Sequence, residues 1–307
     1  MEVRQLQTFC VLVEELNFTR TAERVHTVQS NVTSQIKSLE TELGTQLFDR
    51  LAKRVLLTEA GHRFLPYAER ALAAMEQGHR AVKFGSEPAG PLRIGAPESV
   101  LTYRLPEVLK LFRKRYPQVE LVFRPGLDDK LTDALESGKL DLAICMSDVV
   151  EGDQLRSIRM RTEEIYLFGT ADHPLANARK VHAKDLVDQT LLLTEAGCGY
   201  RKKLDTQLAL AGIRPQHITE FSSVEAIKQC VSAGMGLGLL PGIVIACELT
   251  KKQFSVLNWS GGPMTIATHI VWHKDKWMSP GMKAFLDVMR AKLQPKSAST
   301  PVQGGTI

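Results

Sequence analysis

Residues 18–43, FTRTAERVHTVQSNVTSQIKSLETEL, constrain this chain more than any other segment. Phe18, Ala22 and Val25 recur at helical spacing, and Val32, Ile36, Leu39 and Leu43 do so again after a break, which predicts two short amphipathic helices sharing one small core. Asn17 can cap the first helix and Thr27 the second, and small Ala22 lets them cross closely. The other face of the second helix carries Gln29, Ser30, Thr33, Ser34 and Lys37. A solvent-facing helix is usually rich in Glu and Lys, whereas these mostly short, uncharged groups need a partner pressed against them. No acidic residue stands between Glu23 and Glu40 to repel phosphate. The pattern is that of a helix-turn-helix with its second helix in a major groove. Gln29 or Gln35 can donate to and accept from adenine, and Ser and Thr suit several bases.

Leu47–Arg50 and Lys53–Thr58 then read as a short hairpin with Arg50, Lys53 and Arg54 at its edge, a wing able to hold phosphate or enter the minor groove. The ordered run of Leu6, Asn17-Phe18-Thr19, Ala22-Glu23, Val28-Gln29-Ser30, Gln35-Ile36, Leu39-Glu40, Leu43-Gly44, Leu47-Phe48, Arg50 and Leu57-Thr58-Glu59-Ala60-Gly61 resembles the N-terminal domain of LysR-type transcriptional regulators. That resemblance extends, more weakly, along nearly the whole chain. It implies a winged helix-turn-helix, a long linker helix, a two-lobed effector-binding domain and a homodimer or homotetramer on double-stranded promoter DNA. It also implies contact with RNA polymerase if the protein activates, and no cofactor. The family commonly has a basic residue where this chain has Ser34 and a small apolar one where it has Asn31, so the resemblance implies the mode of binding and not the operator sequence.

The 307 residues suffice for two or three domains. Cys10, Cys145, Cys198, Cys230 and Cys247 form neither a close pair nor a metal-ligand spacing, which points to a reducing, cytoplasmic setting. Glu2 and Arg4 precede any apolar run, against a signal peptide. Residues 229–247 are uncharged, but Gly234, Gly236, Gly238, Pro241 and Gly242 interrupt them, so a helix end, a short strand and a new helix are expected rather than a membrane span. The net charge of +5 does not reside in the DNA-binding segment, because residues 1–91 hold eleven Lys or Arg against eleven Asp or Glu. DNA affinity is expected to rest on local acid-free stretches and on several copies acting together.

Residues 1–58 are therefore read as the winged helix-turn-helix and 59–91 as a linker helix and hinge. Ala60, Phe64, Ala68, Ala71, Met75, His79 and Val82 stripe one side of that helix, which suits pairing with a second chain, before Gly85–Pro91 breaks the pattern. Residues 92–293 alternate strand and helix: 92–95, a helix over 100–115, a strand over 119–123, a helix near 131–137 and a strand over 141–145, then a second set from 190 to 240. A strand over 266–272 and a helix over 280–293 return to the first set. The expected fold class is α/β, a type 2 periplasmic-binding-protein-like domain with lobe I at about 92–162 and 266–293 and lobe II at about 163–265. Residues 294–307 read as a disordered tail.

Ligands in such lobes bind beyond the carboxyl ends of strands, at helix N-termini. The segments there are Glu98-Ser99-Val100, the region after Cys145 around Ser147, Glu195–Arg201, and Ser222-Ser223. Ser99, Ser147, Glu195, Cys198, Tyr200, Arg201, Ser222 and Ser223 are the expected effector contacts, Arg201 for a carboxylate or phosphate and Tyr200 as an amphipathic wall. Glu98 and Glu195 leave room for an effector that also carries an amine.

Cys198 raises a second reading, a thiol-redox regulator, since a thiol at a helix N-terminus beside Arg201 and Lys202 is placed for a lowered pKa. The peroxide-sensing branch of the family has a resolving cysteine a few residues on, and here Lys202–Gly212 contains none. An enzyme is disfavoured. The sequence has no Gly-x-Ser-x-Gly, no His-Glu-x-x-His and no phosphate-binding loop, and Gly234-x-Gly236-x-Gly238 lacks dinucleotide-fingerprint spacing.

Overall fold

The computed structural model describes residues 1–51 and 54–293, with residues 50 and 51 described in backbone only. Lys53 and the tail at 294–307 lie outside the described residues, as does the side chain of Arg50. Three helices, α1 (Val3–Glu15), α2 (Phe18–Arg24) and α3 (Gln29–Leu43), precede a hairpin of β1 (Phe48–Leu51) and β2 (Arg54–Leu57). Phe9, Leu12, Ala22, Val32, Ile36, Leu39, Leu47 and Phe48 form their core. Asn17 caps α2 by accepting from the Thr19 and Arg20 N–H groups. Thr27 does not cap α3: the N-cap is Val28, and the Thr27 hydroxyl instead accepts from the Asn31 amide at 2.8 Å. Gly44 closes α3 at φ +67°, a left-handed turn that costs glycine little.

The long helix α4 (Glu59–Phe84) starts at Thr58, whose hydroxyl accepts from the Gly61 N–H. Its first turns pack Ala60, Phe64, Ala68 and Leu72 on the N-terminal core, while Val82 farther along is 88% exposed. The α/β region begins with β3 (Gly90–Ala96), two residues earlier than the sequence pattern implied. Then come α5 (Glu98–Tyr103) and α6 (Leu105–Arg115) in place of one helix. The break falls at Arg104, and Pro106 in the first turn of α6 cannot donate back into the preceding turn. β4 (Val119–Pro125), α7 (Asp128–Glu136) and β5 (Leu142–Met146) complete this half, and the 16-residue β6 (Leu155–Thr170) leads out of it.

The second half contains β7 (Thr190–Thr194), α8 (Gly199–Leu210), β8 (His217–Phe221), α9 (Val224–Ser232), β9 (Leu237–Pro241), α10 (Gly242–Thr250) and β10 (Phe254–Val256). Finally β11 (Met264–His273) and α11 (Pro280–Leu293) follow. The strands make one sheet in the order β4-β3-β5-β11-β6-β9-β7-β8, with β10 on β6. β11 and β6 are antiparallel over both halves. β11 pairs β5 through Thr268–Val271, and β6 pairs β9 through Ile165–Phe168. They are the two crossing strands of a two-lobed domain. Nothing in the sequence pattern marked β6, because Arg156, Arg159, Arg161, Glu163 and Glu164 mask its alternation. No described helix is long and apolar enough to cross a membrane.

A buried ion cluster ties α4 to the first lobe. Asp141, 1% exposed, lies 2.7 Å from Lys276 and 3.5 Å from Arg80 of α4, and it accepts the Arg93 N–H at 2.8 Å. Glu76 of α4 meets Arg93 at 3.2 Å.

Candidate functional site

The first site is the outward face of α3. Val32, Ile36 and Leu39 are buried in the small core, which turns Gln29, Ser30, Ser34 and Lys37 to solvent and leaves Thr33 half-buried. The Thr33 hydroxyl donates to the Gln29 carbonyl at 3.0 Å. Gln35, the alternative adenine reader, is excluded: it lies toward α1 and accepts from the Thr8 hydroxyl at 2.5 Å. Nearby cations are partly neutralised, since Arg24 pairs with Glu14 at 2.6 Å and with Glu15 at 2.9 Å. Glu40 is removed from any phosphate because its carboxylate accepts the Leu47 and Phe48 N–H groups, fixing the hairpin to α3. Arg54 is exposed on that hairpin.

The second site lies between the lobes, where the carboxyl ends of β3, β5, β7 and β8 meet the starts of α5, α8 and α9. Glu98 reaches from α5 to the start of α9, where its carboxylate accepts from the Ser223 hydroxyl at 3.0 Å and from the Val224 N–H at 2.7 Å. Ser99 is buried with its hydroxyl 3.6 Å from the Met146 sulfur. Gly199 packs on the Met146 carbonyl, and a Cβ there would collide with that oxygen. Ser99 and Ser223 thus lie along one seam with Glu98 and Met146. The sequence reading missed Thr268, the register partner of Met146, which is buried with no hydrogen-bond partner for its hydroxyl among the described residues. Its only signal was a lone Thr within the apolar run 266–272.

The other expected contacts have different surroundings. Arg201 is 6% exposed and committed within its own lobe, donating to the Thr194 carbonyl at 2.5 Å and pairing with Glu220 at 2.8 Å and Asp205 at 3.4 Å. Those partners, Asp205 one helical turn on and Glu220 on β8, engage the guanidinium that was expected to hold an effector anion. Tyr200, 2% exposed, is a core residue rather than a wall of an open pocket. Its phenol is pushed well up by burial and by the neighbouring Cys198 and Glu98. Cys198 is 7% exposed, and burial pushes its thiol up, although hydrogen bonds from the α8 N–H groups pull the other way. The expectation of a lowered pKa is reversed, because the helix N-terminus does not offset desolvation. Ser147 donates to the Val149 carbonyl at 2.6 Å and lines a separate 260 Å³ cavity with Asp128, Asp129 and Lys202. Glu195 and Ser222 are exposed.

A helix-turn-helix with a hairpin on a long helix, followed by a two-lobed α/β domain, is the architecture of a DNA-binding protein that carries an effector-binding domain. A model described as the bacterial regulatory helix-turn-helix protein, lysR family, matches residues 3–62, and one described as the LysR substrate binding domain matches residues 85–294. The chain belongs to the LysR family of transcriptional regulators.

It is 43% identical over 291 residues to an uncharacterised HTH-type transcriptional regulator of Bacillus subtilis, YwqM, covering 94% of this chain and 99% of that one. It is 33% identical to GltR of the same organism, covering 96% and 98%. A full-length OxyR variant from Pseudomonas aeruginosa superposes with a TM-score of 0.68 at 25% identity, over 95% of this chain and 94% of that one. CbnR shares the fold, with a TM-score of 0.68 at 22% identity over 96% and 100% of the two chains. The relatives are named as regulators, and this chain is a DNA-binding transcriptional regulator with an effector-binding domain, not an enzyme.

Proposed function

We propose that the protein regulates a promoter by reading bases with Gln29, Ser30, Thr33, Ser34 and Lys37, and that a small molecule bound between the lobes controls it. The observation that carries the DNA reading is the largely exposed and mostly uncharged hydrogen-bonding face of α3. No side chain caps that helix, so its first turn also offers N–H groups to a phosphate. Arg50, Lys53 and Arg54 then hold the flanking backbone. Residues 1–58 act as the DNA-binding unit, 59–91 as linker and hinge, and 92–293 as the effector unit.

The exposed apolar side chains Tyr67, Met75 and Val82 of α4 support pairing with a second copy, and a tetramer of paired winged helices gives the affinity that a formally neutral domain lacks. RNA polymerase is the further partner if the protein activates. Ser99 and Ser223, with Thr268 beside Met146, support an effector seat between the lobes. Footprinting of promoters adjoining the protein's own gene, with amino acids, aromatic acids and sugar phosphates added in turn, tests this. A protected site whose pattern changes with one compound is expected. Protection on none of these promoters would refute local regulation, and protection indifferent to every compound would refute control by these three classes.

A further inference from the structure

We infer that Glu98 is an intramolecular ligand of α9: one lobe supplies the anion that caps a helix of the other, latching the cleft and setting the charge of effector it admits. The two groups it joins lie more than 120 residues apart in the chain. Each carboxylate oxygen has its own donor at the start of α9. Oε1 accepts from the Ser223 hydroxyl and Oε2 from the Val224 N–H. Ser223 in turn accepts from the Ala226 N–H at 3.4 Å, so the capping hydroxyl is engaged on both sides. This is the arrangement a bound carboxylate would adopt on a helix N-terminus, where negative charge is favoured.

A second contact at the far end of α5 holds the same two helices together. The Tyr103 hydroxyl donates to Glu225 of α9 at 2.7 Å and accepts from Lys228 at 3.1 Å, and Lys228 is anchored to Glu248 at 2.8 Å. On the other flank of the cleft Lys203 of α8 pairs with Asp148, just beyond β5. Closure therefore does not depend on Glu98 alone, and its carboxylate can be exchanged without losing the interface.

The bearing on effector class rests on the reading of the cleft as the effector seat. An anionic group arriving at the start of α9 meets a full negative charge already in place and must displace it. Arg201, turned to Glu220 and Asp205, does not compensate that charge. A neutral or amine-bearing effector meets no such opposition, and an ammonium pairs with Glu98 directly.

The test is chemical rescue in the full-length chain. Wild type, E98A and E98Q are compared in sodium acetate and in sodium chloride of equal ionic strength, by thermal unfolding and by hydrogen exchange at the Val224 amide. The Val224 amide should be protected in wild type, exchange faster in E98A, and regain protection in acetate. The E98A midpoint should rise by about 2 to 4 °C in acetate while wild type stays unchanged. Val224 protection equal in wild type and E98A overturns the latch, as does acetate stabilising wild type as much as the variant. If E98A fails to fold, E98Q decides: it keeps an acceptor but loses the charge, so Val224 exchange should quicken partially, and exchange equal to wild type overturns the proposal. Titration with amine-bearing and carboxylate-bearing metabolites is read separately. No binding of either refutes the effector seat and leaves the rescue result standing.

Discussion

Asp141→Asn should be among the most damaging single changes of near-constant volume in this chain. The wild-type carboxylate is 1% exposed and faces Lys276, itself buried, at 2.7 Å, together with Arg93 and Arg80. Asn preserves shape and can still accept the Arg93 N–H, but it leaves the buried Lys276 ammonium without a counter-charge. Breaking one partner of a buried ion pair costs about 3 to 5 kcal/mol. At roughly 2 to 4 °C per kcal/mol for a unit of this size, the midpoint should fall by about 6 to 20 °C.

The acid limb gives a second readout. Burial alone would push the Asp141 carboxyl up, but the charges of Lys276 and Arg93 outweigh it and hold the group below its ordinary value. A folded-state pKa lower than the unfolded one gives stability that is full above the unfolded value, near 3.9, and lost as pH falls through the folded value. Wild type should therefore lose an increment of stability below about pH 4, and the variant should lack that increment. Urea titrations and calorimetry at neutral and acid pH measure both. A cost under about 1 kcal/mol, or identical acid profiles, would show that the cluster behaves as a solvated surface network.

Gln29→Ala should weaken specific operator binding by about 1 to 3 kcal/mol while sparing random-sequence DNA, measured by mobility shift on both. Equal loss on the two would mean that this face contacts backbone alone. Cys198 should resist alkylation in the native protein at neutral pH, with exposed Cys247 labelled first; rapid native-state labelling of Cys198 in peptide mapping would contradict its burial. Val82→Glu should shift the sedimentation profile toward smaller species without lowering the thermal midpoint of the monomer, since the side chain is 88% exposed within one chain. An unchanged profile would remove Val82 from the oligomer contact.

The parts legible in the sequence were those where one local period decides the matter. The apolar spacing of Val32, Ile36 and Leu39 fixed which side of α3 is buried, and so which side is free. The final helix from Pro280 to Leu293 likewise followed from periodicity. β6 was not legible because its charged residues are satisfied by tertiary partners such as the Arg104–Glu163 pair at 2.5 Å, which no window reveals. The same limit governs the cleft. Arg201 reads locally as a free anion clamp, but Glu220 lies beside it, and Ser223 reads locally as an effector contact, but its hydroxyl donates to Glu98 from across the seam. A side chain's local role was readable; its long-range partner was not.

The sharing of β6 and β11 by both lobes has a mechanical consequence. A pair of separate linkers would let the lobes swing apart as on a door, but a paired ribbon resists bending in its own plane and yields most readily by twisting about its length. The register shift at Thr268/His269, opposite Arg161 and Arg159, falls just where β11 passes from its β6-only stretch to the stretch it also shares with β5. Bulges of this kind raise local twist and loosen the ladder. A twist of that ribbon, rather than a hinge-like closure, would be felt directly by the 26-residue α4, which is clamped to the first lobe through Arg80 and Glu76.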